Sequence, residues 1–145
     1  DYGQFVQNKG QNYSDAERLT SILVGLKIGN EHPLFGSGTG DVFQEVHKIY
    51  HSDFPTYTYP KIPHNQFVMT YASNGLLGLL VFLFAFFFPL WYQKGYRNGM
   101  LVTLSVILFM SFMVESTLET SQGATFFAFL FSFFQLQKGE RMDMD

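Results

Sequence analysis

Residues 60–93 read PKIPHNQFVMTYASNGLLGLLVFLFAFFFPLWYQ, and the fold turns on how this stretch is read. Between His64 and Lys94 there is no charged side chain. A membrane-crossing helix needs about 20 mostly apolar residues to span roughly 30 Å of hydrocarbon, and this run exceeds that. Two further runs, residues 98–114 and 120–137, are also free of Asp, Glu, Lys and Arg. They are slightly short, a mismatch that flanking side chains reaching the interface can absorb. Trp91 and Tyr92 stand where an interfacial aromatic belt places such rings. The sequence therefore predicts an all-α integral membrane chain: three transmembrane helices over 65–145, preceded over 1–64 by a helical extracytoplasmic loop. His64 sits at the junction.

Composition supports this. Only 14% of the 145 residues are charged, 47% are hydrophobic and 18 are Phe, more than a soluble domain of this size hides with ease. The net charge of −3 offers no basic field and argues against a nucleic-acid partner. The absence of cysteine excludes disulfides and thiolate metal sites. No basic n-region with a cleavage site follows Asp1, and the chain reads as the C-terminal portion of a larger multi-spanning protein. Lys94, Arg97, Lys138 and Arg141 flank one side of the runs, whereas Glu115 and Glu119 occupy the opposite link. The positive-inside rule then puts 94–97 and the C-terminus in the cytoplasm and residues 1–64 outside.

Within the outward segment, residues 1–13 are polar and featureless. Ser14-Asp15-Ala16-Glu17 reads as a capping box, and Leu19, Ile22, Leu23 and Leu26 follow at helical spacing to a stop at Gly29-Asn30. Arg18, Ile22, Gly25 and Gly29 fall along one line of that helix. The two glycines leave room there for something bulky. From spacing alone, a solvated arginine is the plainer reading. In HPLFGSGTGD, residues 32–41, the glycines suit either an anion-binding nest or a tight turn ending in a cap at Asp41. No strand precedes them, so neither a dinucleotide fingerprint nor a Walker loop is supported. The next helix is expected to bury Val42, Phe43, Val46, Ile49 and Tyr50. His47 and His51, four apart, share a face, but no third ligand or HExxH pattern accompanies them, which weighs against metal. The following YHSDFPTYTYPKIP, residues 50–63, alternates aromatic rings, prolines and small polar residues. It suits a sugar-stacking surface or a loop lying on headgroups.

Arg18 with Gly29 eleven positions on, then HPLFGSGTG, then PHNQFVMTYASNGLLGLL, together resemble the C-terminal half of the O-antigen ligase and O-antigen polymerase superfamily. The likeness runs from about residue 14 to about 95, with weaker support through Glu119 and Gly123. It implies a metal-independent, inverting glycosyltransferase of the bacterial inner membrane with no cofactor, the loop 1–64 facing the periplasm. The implied donor is an undecaprenyl-pyrophosphate-linked glycan. The implied acceptor is a sugar hydroxyl of lipid A-core for a ligase, or another repeat unit for a polymerase. By that resemblance Arg18 grips the pyrophosphate and His64 acts as catalytic base at the acceptor hydroxyl. Asn65, Glu115, Gly36 and Gly38 are supporting residues, and the fragment alone is expected to be inactive.

The residue types suit the chemistry. A glycosyl pyrophosphate carries a good leaving group, so the site chiefly needs positive charge where phosphate charge develops. Arginine is a planar, permanently charged, bidentate donor. The acceptor hydroxyl loses a proton, and a neutral imidazole within reach takes it. If the apolar core begins near Gly75, His64 lies roughly 16 Å before it along a continuous helix, at headgroup depth. The plainer alternative for His64 is a cap at the interface. Glu115 and Glu119 fit pairing with Arg18, holding an acceptor, or a solvated helix end. The rival from another class is a non-catalytic scaffold or a transporter fragment, which would show broken, polar-lined spans at the midplane.

Overall fold

The computed structural model describes residues 14–55, 57 and 59–142. The polar segment 1–13 lies outside them. Among the described residues there is no strand. The order is α1 (Ser14–Glu31), α2 (Val42–Asp53), α3 (Gln66–Trp91), a 3-10 turn (Tyr92–Arg97), α4 (Gly99–Val114), a second 3-10 turn (Thr117–Glu119) and α5 (Ser121–Met142).

The expected start of α1 is met at Ser14, although the side chains of Ser14 and Asp15 lie outside those described. Glu17 is ion-paired with Lys61. The buried face of α1 is not the expected leucine stripe. Leu23 and Leu26 are exposed, while Ala16, Thr20, Ser21, Val24 and Ile28 are buried. The cause is the closeness of α3. A Cβ on Gly25 would come within 2.5 Å of Pro63 and 2.7 Å of Val68, and one on Gly29 within 2.4 Å of the Tyr71 ring. Leucine cannot occupy so tight a contact; glycine can. The room seen along the glycine line is therefore filled by the chain's own Pro63, Val68 and Tyr71. Two hydroxyls on this face bond within the helix, Thr20 Oγ1 to the Ala16 carbonyl at 2.8 Å and Ser21 Oγ to the Arg18 carbonyl at 2.7 Å. Their burial leaves no unpaired donor.

In α2, Val42, Val46, Ile49 and Tyr50 are buried and Phe43 is exposed. One apolar core joins Val24 and Ile28 of α1, the buried face of α2, and Met69 and Ala72 of α3, with Phe54, Tyr57 and Ile62 packed against it. A second core is mostly phenylalanine. Phe86, Leu101, Leu108 and Phe112 are buried there, and Phe112 meets Phe82, Phe86 and Phe127 at ring centroid distances of 5.7, 5.7 and 5.9 Å. These rings tie α3 to α4 and α5.

The two cores meet where α3 is broken. Gly75 has φ +65° and ψ −166°, so the helix is not continuous from Gln66 to Trp91 and the 16 Å reckoned along an unbroken rod does not apply. Residues 33–38 satisfy the backbone groups released by the break. Leu76 and Leu77 donate to the carbonyls of Pro33 (2.8 Å) and Leu34 (3.3 Å), while Ser37 and Gly38 donate to those of Ala72 (2.9 Å) and Ser73 (2.8 Å). Before Gly75, Met69 and Ala72 pack with α1 and α2, while Phe67 on another face already joins the phenylalanine core.

Gln66–Trp91 is long and apolar enough to cross a membrane, and it is the one such helix among the described residues. The apolar Gly99–Val114 has 16 residues. The outer surface of Gln66–Trp91, including Leu80, Val81, Phe84 and Trp91, is exposed, and only 22% of its most apolar window is buried. A soluble protein's core helix would be buried over most of its length.

Gly75 provides a direct test of the break. A Cβ there would lie 2.4 Å from the carbonyl carbon and oxygen of Leu34. Gly75→Ala should destabilise the purified protein by at least about 1–2 kcal/mol, the cost of a left-handed backbone for an L-residue. Gly40→Ala, with nothing within 4 Å of the added carbon, should leave the thermal midpoint nearly unchanged. Equal midpoints for the two variants would show that residues 33–38 do not hold the break.

Candidate functional site

The N-terminus of α3 and the C-terminus of α4 meet because the helices run antiparallel through the turn at Tyr92–Arg97. Four consecutive residues, Pro63 to Gln66, each bond to the segment 113–119. Ser116 Oγ donates to the Pro63 carbonyl. His64 Nδ1 lies 2.8 Å from Glu115 Oε1. Asn65 Nδ2 donates to the Met113 carbonyl at 3.1 Å. The Gln66 amide oxygen accepts from Leu118 N at 2.8 Å, and its nitrogen reaches Glu119 Oε1 at 3.5 Å. On the other flank, the His64 backbone N–H donates to Ser21 Oγ at 3.3 Å. His64 is therefore gripped between α1 and the end of α4.

Asn65 explains why α3 begins here. Its backbone is extended, and its side-chain oxygen accepts from Val68 N at 3.1 Å, the bonding of an N-cap. The cap belongs to Asn65, so the histidine ring is free for another partner. An ionised carboxylate can only accept, so the bond to Glu115 puts the shared proton on Nδ1. Nε2 has no partner among the described residues. In the neutral ring it carries the lone pair. The His64 side chain is 23% exposed and that of Glu115 51%, so the pair is open to a ligand. Glu115 is thus a partner of His64 rather than of Arg18.

Arg18 is exposed; its carbonyl accepts from Ser21 Oγ, while its guanidinium has no hydrogen-bond or ion-pair partner among the described residues. It shares a face of α1 with Ser21 and Gly25, the positions that meet His64, Pro63 and Val68. Arg18 consequently stands one turn before the residue that holds His64. Gly36 and Gly38 are not brought to this site. They lie against residues 73 and 74, about two turns further along α3. A Cβ on Gly36 would fall 2.4 Å from the Ser73 carbonyl carbon and Asn74 nitrogen. The amides of Gly36, Ser37 and Gly38 all donate to carbonyls of the chain, so the motif is a brace for the break and leaves no nest for an anion. Asp41 occupies the N-cap position of α2 without a capping side-chain bond.

Ser21, Gln66 and Ser116, all buried, hold this arrangement and gave no sequence signal beyond being polar beside apolar runs. His47 and His51 are exposed on α2, and among the described residues no group of three or more His, Cys, Asp or Glu is placed to hold a metal ion. Burial pushes the Tyr50 hydroxyl up to about 12, against a smaller opposing effect from the Lys61 backbone amide bonded to it. At the surface, the hydrogen bond between Lys27 and Asp53, 2.7 Å long, raises the lysine and lowers the aspartate.

This geometry coincides with a family assignment. A family model described as O-antigen ligase matches residues 2–83, more than half of the chain, and the chain belongs to the O-antigen ligase family. Members of this family are bacterial inner-membrane proteins of the glycan ligase and polymerase type. No curated protein matches the chain. The matched span includes Arg18, His64 and Asn65; Glu115 lies beyond it and is joined to the site by the fold.

Asn65 tests the grip on His64. Asn65→Ala should destabilise the protein by about 1 kcal/mol or more through loss of the cap. Asn65→Asp should restore the cap while still lacking the donor to Met113, giving an intermediate unfolding midpoint. An alanine variant as stable as the parent would show that Asn65 does not hold the start of α3.

Proposed function

We propose that the protein acts in transfer of a glycan from an undecaprenyl-pyrophosphate carrier to a sugar hydroxyl of lipid A-core, at the periplasmic face of the inner membrane. The observation that carries this is the His64–Glu115 pair, with Nε2 open and Arg18 on the adjoining face of α1. In the step, the acceptor oxygen attacks the anomeric carbon as the bond to the pyrophosphate oxygen breaks. The leaving pyrophosphate takes the electron pair, and the acceptor proton passes to His64 Nε2. Glu115 then faces an imidazolium whose charge it offsets, the role an orienting carboxylate has beside a catalytic histidine. Arg18 offers a forked donor to the phosphate oxygens as their charge grows. One in-line displacement inverts the anomeric centre. No metal is needed, because the leaving group is already activated.

The exposed apolar flank of α3, and the outward Trp91, Tyr92 and Tyr96 at its far end, support a membrane setting with His64 at one interface and Lys94 and Arg97 at the other. The break at Gly75 satisfies one expectation for a transporter. Its freed groups bond to residues 33–38 instead of lining a polar cavity, which favours the transferase.

Orientation is tested by cysteine labelling in intact cells, against a background without cysteine. Thr39→Cys should react with an impermeant thiol reagent and Asn98→Cys should be shielded. The reverse pattern would put the proposed site in the cytoplasm.

The chemistry is tested in the full-length protein, with transfer normalised to inserted protein. His64→Gln should lower it by roughly 10²–10⁴-fold, the usual size of a lost general base, since glutamine bonds but takes no proton. Arg18→Lys should fail to restore the rate, because an ammonium lacks the forked geometry. Parental activity in the glutamine variant would leave His64 only an anchoring part.

A further inference from the structure

A cleft of about 510 Å³ opens between the exposed side of α2 and the loop that leads to His64, within the roughly 300–1,000 Å³ of small-molecule sites. Its walls are the rings of Tyr50, Tyr57 and Tyr59, the imidazoles of His47 and His51, and Pro55 and Pro60. Among the described residues no Asp, Glu, Lys or Arg lines it. Tyr57 and Tyr59 differ in freedom. Tyr57 is fixed: its ring meets Tyr50 edge-on at 5.9 Å and 76°, and its hydroxyl lies 3.3 Å from Thr20 Oγ1. Tyr59, which also lines the cleft, is 79% exposed, a large aromatic surface left to water.

Aromatic faces that offer apolar contact, with hydroxyl and imidazole groups at their edges, suit a flat-sided ring with apolar C–H faces and a polar rim. Among the described lining residues no Arg or Lys supplies the permanent charge that a phosphate site favours. We propose that this cleft is a subsite for one uncharged pyranose ring of a glycan substrate, stacked against Tyr59 and Tyr57. The ring belongs either to the donor glycan or to the acceptor. The inference rests on the glycan-transfer reading and adds where the sugar is held. Its position suits that purpose. Thr20, which meets Tyr57, directly precedes Ser21, which holds the His64 amide. Lys61, whose amide meets the Tyr50 hydroxyl, is three residues before His64.

The test compares steady-state transfer by the full-length protein carrying Tyr59→Ala, Tyr59→Phe or His64→Gln, with donor and acceptor varied separately. Tyr59→Ala should raise one KM by about fivefold or more at unchanged kcat, in keeping with loss of an aromatic contact. Tyr59→Phe, which keeps the face, should stay near the parent. A rise confined to the donor KM assigns the ring to the carrier-linked glycan, and one confined to the acceptor KM assigns it to the acceptor. If His64→Gln abolishes transfer while Tyr59→Ala leaves both KM values unchanged, or lowers kcat alone, the subsite is overturned and the transfer reading stands. If His64→Gln is fully active while Tyr59→Ala raises a KM, the cleft stands and the base assignment falls.

Discussion

The chain from Pro63 to Gln66 is bonded residue by residue to the segment at the end of α4, and the rest of the arrangement depends on that clasp. It fixes where α3 begins and which way the His64 ring turns. It also holds the end of α4 against α1, through Ser116 on one flank and Ser21 on the other. These bonds are short-range and directional, whereas the apolar contacts around them are not. Phenylalanines can bring α3, α4 and α5 together in several rotational settings, and the clasp selects the one that places Glu115 beside His64.

Close packing does the complementary work between α1 and α3. Gly25 and Gly29 let Pro63, Val68 and Tyr71 approach until no side chain would fit. Serine and threonine hydroxyls that would otherwise be stranded there bond back to their own helix. The same tight contact aligns α1 alongside α3, and Arg18 lies one turn before Ser21, whose hydroxyl accepts from the His64 amide. Further along, the break at Gly75 is held open by backbone hydrogen bonds from residues 33–38. A loop rich in glycine is needed because Gly36 passes against the α3 backbone at a positive φ. The glycines that resemble an anion site in sequence are committed to this contact.

The cleft at α2 and the His64–Glu115 pair lie on the same connected set of elements. Tyr50 belongs at once to the apolar core, to the cleft wall and, through its hydroxyl, to the segment that delivers His64. A ligand seated in the cleft would therefore bear on residues only a few positions from His64.

Hydrophobic period and charge placement are local properties, and the sequence by itself determined their direct consequences. These are an all-helical chain, a helix from Ser14 to a stop near Gly29-Asn30, another after Asp41, a long apolar helix within 65–93, and an Arg, a His and an Asn at positions inside the family match. It did not determine the buried face of α1, because leucine is the more hydrophobic residue and only the nearness of α3 makes glycine the better neighbour. It did not reveal the break at Gly75, since a glycine inside an apolar run is read as helix unless another segment is present to take its hydrogen bonds. Nor did it join Glu115 to His64. The two are 51 residues apart, and a contact at that separation exists only once α3 and α4 have folded back on each other and the clasp has set their register.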